Sequence, residues 1–277
     1  MFDTFRNRLE IAGTLTTVTA LRVGAGRSTD TIGSDLPVIK DALHRPLIPG
    51  SSFKGALRSR LEAFLRGIDP EFAIDPTELI ERYGRIKDLK ENHKEEDRVL
   101  TEEILKETDL VSQLFGAPWL AGKFQVRDLT VVPEVWFGQY QDRNGVAIDR
   151  DTETASGGKL YDFQVVPAGT PFQFRAVVEN AENWELGLLL VGLHQLETEQ
   201  LALGGGRSRG LGVVKLELER MDWIDVRQAD GTIDRAKLLD YLKQLASHQT
   251  SLQSVLDDAA TKESWTTALL HKLNNPQ

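Results

Sequence analysis

Between Leu9 and Val23 the odd positions read Leu, Ile, Gly, Leu, Thr, Thr, Leu, Val. A period of two predicts a strand with one buried face, bent at Gly13. The stretch VGAGRSTDTIGSDLPVIKD, 23 to 41, loses that period and fills with Gly, Ser, Thr and Asp, the composition of a loop. From about Ser52 to Arg66 the spacing turns helical, with Phe53, Leu57, Leu61, Phe64 and Leu65 on one side to pack on a sheet.

Residues 67–118 read as mostly helical and highly charged, with few core positions, which predicts a solvated helical insertion. FQVRDLTVV (124–132) and PFQFRAVV (171–178) alternate as strands do, and a long polar stretch with glycines lies between them. Such stretches inside compact domains are functional projections or disordered. ENWELGLLLVGLHQLETEQ (182–200) reads as a second helix, apolar around most of its circumference and therefore deeply buried. LALGGGRSRGLGVVKLELER (201–220) passes from a glycine loop into a strand, with Val213, Leu216 and Leu218 as packing positions. Two amphipathic helices are expected near 234–247 and 251–273. Strand, helix, strands, helix, strand is an α+β order with helices on one face of the sheet, as in a ferredoxin-like or RRM-like core.

Composition narrows the class. The chain has 277 residues, 40% of them hydrophobic, and no cysteine, which excludes disulfides and Cys-based zinc sites. No run approaches the about 18 apolar residues of a membrane helix. The first ten residues lack the apolar core of a secretory signal, so a cytoplasmic protein with no membrane partner is expected. Net charge is −9, which by itself argues against a nucleic-acid partner. Its distribution argues otherwise: residues 1–66 carry 10 basic and 6 acidic side chains, and residues 67–118 carry 7 and 14. The acidity is concentrated in the insertion, and a local basic groove elsewhere is compatible with it.

Two stretches carry anion-binding chemistry. GGGRSRGLG places Gly205, Arg207, Ser208 and Arg209 in a run of glycines that precedes a strand. Glycines let backbone amides approach a ligand closely, and arginines add bidentate phosphate recognition. PGSSFKGALR opens a helix, where exposed amides, the hydroxyls of Ser51 and Ser52, and the cations Lys54 and Arg58 form a second cradle. Each alone is as well explained by a flexible hairpin or a capped helix with a basic face. Together they favour a nucleic-acid backbone or a polyphosphate. Asp30 and Asp35 lie in the loop upstream, as turn formers or as carboxylates for a divalent cation or a ribose 2′-OH. The histidines at 44, 93, 194, 248 and 271 form no ligand motif, and His194, on the apolar helix, is expected in the core.

Taken together, LRVGAG, IGSDLPVIKD, PLIPGSSFKGALRSRLE, SQLFG, VAIDRDTETASGGKLYDF and GGGRSRGLGVVKLE resemble the RAMP superfamily of CRISPR–Cas proteins. The likeness runs over most of residues 8–220 and is strongest to backbone subunits of type III (Csm/Cmr-type) effector complexes. It implies a modified RRM-like palm over residues 1–221, with the helical insertion at about 67–118 and a thumb at about 138–170. A C-terminal helical extension, 222–277, would follow. It further implies that the chain lines up along a CRISPR RNA with other effector subunits and further copies of itself. Ser51, Ser52, Lys54, Arg58, Gly205, Arg207, Ser208 and Arg209 would hold the guide. Asp149, Arg150, Thr152 and Thr154 would form the thumb. Asp35 matches the aspartate with which cleaving members cut complementary target RNA, using a divalent cation such as Mg2+ or Mn2+.

Three other readings remain open at this point: a non-catalytic crRNA-binding scaffold, a nuclease that processes precursor crRNA, and an α+β domain for a small phosphorylated ligand. The second of these usually relies on His or Tyr acid–base groups, and no histidine stands in a compelling position.

Overall fold

The structure is a computed structural model that describes residues 3–27, 34–75, 77–93, 97–148, 155–247 and 252–275. The alternating stretch becomes strand β1, Asn7–Thr17, and every odd position in it is buried. Gly13 does mark an irregularity. The register with the neighbouring strand slips between Ala12 and Gly13, and a Cβ on residue 13 would stand 2.3 Å from the Glu217 carbonyl oxygen. Beyond Thr17 the alternation breaks, with Ala20 and Leu21 both buried, so the strand ends although the apolar spacing continues.

A short strand β2, Leu47–Ile48, leads into helix α1, Gly50–Ile68, which buries Phe53, Leu57, Leu61 and Leu65. Phe64, expected on that face, is surface-exposed beneath the Arg60 guanidinium, 4.5 Å from its ring centroid. The insertion contributes α2 (Leu79–Asn92) and α3 (Asp97–Lys106). It is not simply solvated: Ile74, Ile86, Ile104 and Trp119 make a small core of their own. Arg82 is buried beside it, donating to Glu71 and to the Glu107 carbonyl. Helix α4, Leu110–Phe115, already belongs to the main core through Val111, Leu114 and Phe115.

The stretch expected as one strand splits into β3, Phe124–Val126, and β4, Leu129–Thr130, which pair with different partners. The polar stretch after it is a hairpin, β5 (Gln141–Ile148) and β6 (Ala155–Val165). Strand β7, Pro171–Glu179, and helix α5, Asn183–Glu197, follow as expected. Strand β8 runs Val214–Asp225, so the domain boundary expected between 221 and 222 falls inside it. Val214 and Leu216 carry its buried face, while Val213 and Leu218 are half-buried. The chain ends with α6 (Arg235–Ala246), a two-residue strand β9 (Gln253–Ser254) and α7 (Ala259–Asn274).

The main sheet has the order β3-β7-β1-β8-β9 and every pairing in it is antiparallel. With α1 after β1 and α5 after β7, the first four strands reproduce the ferredoxin-like arrangement, two crossed βαβ units. The helices seal one face: Phe53 of α1 meets Phe174 of β7 with ring centroids 5.1 Å apart. Helix α7 packs on α5 closely enough that a Cβ at Gly187 would stand 2.3 Å from the Trp265 carbonyl oxygen. Trp265 and Leu269 are therefore part of the main core, and the tail is built into the palm. His194 departs from expectation. It sits on the outer side of α5, exposed beside Glu197 at 3.3 Å.

Candidate nucleic-acid interface

Four glycines of the 204–212 loop take the left-handed backbone region, Gly204, Gly206, Gly210 and Gly212. At Gly204 the need is steric as well, since a Cβ there would stand 2.2 Å from the Arg22 carbonyl oxygen. The loop is pinned to the first loop at that point, where the Gly205 amide donates to the same oxygen at 2.8 Å. A single 3₁₀ turn, Arg207–Arg209, then projects Arg207, Ser208 and Arg209 into solvent.

The first loop is held in a narrow ladder. Leu21 bridges Val166, Gly24 bridges Val38, and Leu36 forms a parallel bridge with Phe163 of β6. That bridge brings Asp35 beside Asp162. The Asp162 amide donates to Asp35 Oδ2 at 3.3 Å, and Ser34 Oγ donates to the Asp162 carbonyl at 3.1 Å. Asp35 is otherwise open to solvent. The glycine loop reaches the same strand from its own side, with Arg209 Nη1 donating to the Tyr161 hydroxyl at 3.1 Å. This bond holds the Arg209 guanidinium above its ordinary pKa. Arg22 completes the junction, its guanidinium carbon 5.4 Å from the Phe163 ring centroid.

Asp35, Gly205, Arg207, Ser208 and Arg209 thus meet around the root of the β5–β6 hairpin. Sequence reasoning missed Arg22, Tyr161 and Phe163, although all three stand in the quoted stretches LRVGAG and GGKLYDF. The signal was there in period two: Tyr161 and Phe163 are alternate residues of one strand, both half-buried.

The start of α1 uses its residues differently from what the sequence suggests. Pro49 precedes the helix and no side chain caps it from the N-cap position; Ser51 and Ser52 are exposed. The cap comes from elsewhere, as Asp128 Oδ1 accepts from the Gly50 amide at 2.8 Å. Lys54 lies beyond the first turn and reaches inward, donating from Nζ to the Phe124 carbonyl at 2.6 Å. Burial, and then the neighbouring Arg58 charge, push its ammonium below the ordinary lysine value. Arg58 donates to Glu62, to the Gly116 carbonyl and to Ser112 Oγ, at 2.7, 2.8 and 2.9 Å. The last two of these bonds lock α1 onto α4, and the cations expected to form an anion cradle are tied into tertiary structure.

Asp149, Arg150, Thr152 and Thr154, expected to form the thumb, and Asp30 lie outside the described residues. Among the described residues no group of three or more His, Cys, Asp or Glu stands together to hold a metal ion. No helix among them is long and apolar enough to cross a membrane.

Comparison with known proteins fits this geometry. The sequence profile of the RAMP superfamily matches residues 14–215. Three similar curated proteins each bear the name CRISPR system Cms endoribonuclease Csm3. The one from Enterococcus italicus is 26% identical over 223 residues, covering 79% of this chain and 94% of its own length. The one from Mycobacterium tuberculosis is 28% identical over 249 residues, covering 87% and 97%. The one from Streptococcus thermophilus is 30% identical over 203 residues, covering 72% and 82%.

Proposed function

The chain belongs to the RAMP superfamily, and from that premise we propose that it is a crRNA-binding backbone subunit of a type III CRISPR–Cas effector that cuts guide-paired target RNA at Asp35. One observation carries the reading. Asp35, the arginine-bearing glycine loop and the hairpin root converge on a single strand, β6, through the Asp162 amide and the Tyr161 hydroxyl. An acid, a phosphate-binding loop and a projecting ribbon in one place are what a subunit needs to hold RNA and act on it. The three named relatives, each called an endoribonuclease of the Cms system, support the same reading.

The chain's own part in the reaction is placement. Arg207 and Arg209 neutralise phosphates and fix the strand's course. RNA carries its nucleophile, the 2′-OH, beside every phosphate, so holding that hydroxyl in line with the scissile bond supplies much of the rate. Asp35, held by the Asp162 amide, is the group that can draw the hydroxyl proton or hold a cation.

A divalent cation such as Mg2+ or Mn2+ would supply charge neutralisation at the phosphate. Asp35 suits it as a hard oxygen ligand, the rest of the shell coming from phosphate and water, as Mg2+ is commonly bound.

A second reading, a non-catalytic scaffold of the same assembly, is favoured by the absence of a multi-carboxylate cluster among the described residues. Reconstitution with a crRNA and a complementary target separates the two. Asp35→Ala should abolish cleavage and leave target binding intact. Unchanged cutting by that variant assigns the chain the scaffold role. RNA co-purifying with the chain should carry CRISPR repeat-derived sequence, and its absence would refute both readings.

A further inference from the structure

The face of the main sheet turned away from α1 and α5 carries a row of arginines. Arg127, one step past the last β3–β7 pair, donates its amide to the Arg175 carbonyl at 3.1 Å. Arg175 stands opposite Ala12 of β1, and Ala12 stands opposite Arg220 of β8. Paired residues share a face, so the row runs from the end of β3 to β8 with one small position in it. The neighbouring residues of the same strands, Ile11, Ala176 and Met221, point the other way into the core.

The two rows beyond it hold three acids, and each is already taken. Arg8 donates to Glu10 and to Glu179, and Arg220 pairs with Glu10 at 3.4 Å and Asp222 at 3.3 Å. The exposed side chains of Arg127 and Arg175 have no hydrogen bond or ion pair among the described residues. Like charges directly opposite on adjacent strands stand about 5 Å apart and repel, well inside the screening length of about 8 Å. An external anion removes that repulsion. The two arginines line a groove of about 330 Å³ that also holds half-buried Val126 and Val177.

We propose that this open face docks a helix of a partner protein, with two acidic residues three or four positions apart seated on Arg127 and Arg175. The proposal rests on the reading of the chain as an effector subunit and goes beyond it by naming a protein-facing surface away from the hairpin root. Residues three or four apart on a helix have Cβ atoms about 5–6 Å apart, which matches two residues facing each other across adjacent strands. Ala12 leaves a notch beside Arg175 for a side chain of the same helix. A strand of RNA suits the face less well. Unpaired bases on a sheet need aromatic rings, and no aromatic residue lines the groove. Glu10, Glu179 and Asp222 would also repel a phosphate chain laid along the strands. Arginines around an apolar floor are instead the composition of a protein interface.

The test uses the effector reconstituted on a crRNA, with Gln125, exposed in the groove, replaced by the photocrosslinker benzoylphenylalanine. Irradiation should attach the chain to a protein subunit, at a helix with acids three or four positions apart. Arg127→Glu with Arg175→Glu should remove that adduct and weaken retention of the same subunit by more than about tenfold. Retention of crRNA by the chain should not change. Lysines in place of the partner's two acids should restore retention to the reversed chain. Adducts on RNA, no adduct, or an adduct that survives the double reversal would overturn the docking face and leave the effector reading standing. Failure of the unaltered chain to assemble on a crRNA would overturn both. Should the double reversal not fold, Arg127→Gln with Arg175→Gln carries the same expectations and the same refutations.

Discussion

The Gly50 amide donates to the Asp128 carboxylate at 2.8 Å, so helix α1 is capped from 78 residues away in sequence. The two segments are pressed together, since a Cβ on residue 50 would stand 2.6 Å from the Val126 carbonyl oxygen. This tertiary cap does the work that the serines of PGSS seemed placed to do. Asp128→Ala should therefore destabilise the fold by about 1 kcal/mol, the usual worth of an N-terminal cap. Ser51→Ala and Ser52→Ala should stay within about 0.5 kcal/mol of the unaltered chain, as exposed positions do. Thermal midpoints of the three variants check the contrast.

The cations of the two anion-type stretches separate by the same measurement. Arg58→Ala removes three hydrogen bonds, two of them between α1 and α4 and the third to the Glu62 carboxylate within α1, and should cost about 2 kcal/mol of stability. Arg207→Ala and Arg209→Ala alter exposed side chains and should move stability by no more than about 0.5 kcal/mol. Their effect should appear in RNA affinity instead, uniformly across sequences. Each lost phosphate contact should flatten the dependence of log affinity on log salt by about 0.7.

How far these roles could be read from the sequence depends on whether a contact is local. The period of β1, the apolar stripe of α1 and the buried length of α5 follow from spacing along the chain, and with their order they give the palm. What Lys54 and Arg58 do is set by carbonyls at 124 and 116, which no pattern around residue 54 encodes. The same holds for the partition of the insertion. Trp119 and Ile74 are far apart in sequence and each looks isolated, yet they share a small core. At the site, glycines and arginines announced anion chemistry, whereas Arg22, Tyr161 and Phe163 acquire theirs when two loops and a hairpin meet.

The glycine loop gives a sharper test of that meeting point. Gly210 and Gly204 both have positive φ, 78° and 74°, but a Cβ at 210 meets nothing within 4 Å. Gly210→Ala should cost about 1 kcal/mol, the left-handed backbone penalty alone. Gly204→Ala pays that penalty and also forces its new methyl against the Arg22 carbonyl. It should be the more destabilising of the two and should weaken RNA binding, because Arg22 must move. Denaturation midpoints and RNA titrations of the two variants check both parts.

Lys123 and Glu185 form an ion pair with side chains 6% and 0% exposed. Burial holds the Glu185 carboxyl above its ordinary value of 4.5, with Lys123 opposing the shift. The native state therefore binds this proton more tightly than the unfolded chain. The sign follows: its contribution to stability is full below the ordinary value and is lost as pH rises through the folded one. Lys123→Met removes the opposing charge and should raise the folded value further. At neutral pH it should cost about 3–5 kcal/mol, the usual result of stranding one partner of a buried pair. Acidification from about pH 8 toward pH 5 should recover part of that loss, as the stranded carboxyl takes up its proton. Lys123→Met with Glu185→Leu should restore most of the stability and remove the pH dependence. Denaturation midpoints of the three chains across that range check the sign, and a Lys123→Met variant that weakened on acidification relative to the unaltered chain would refute it.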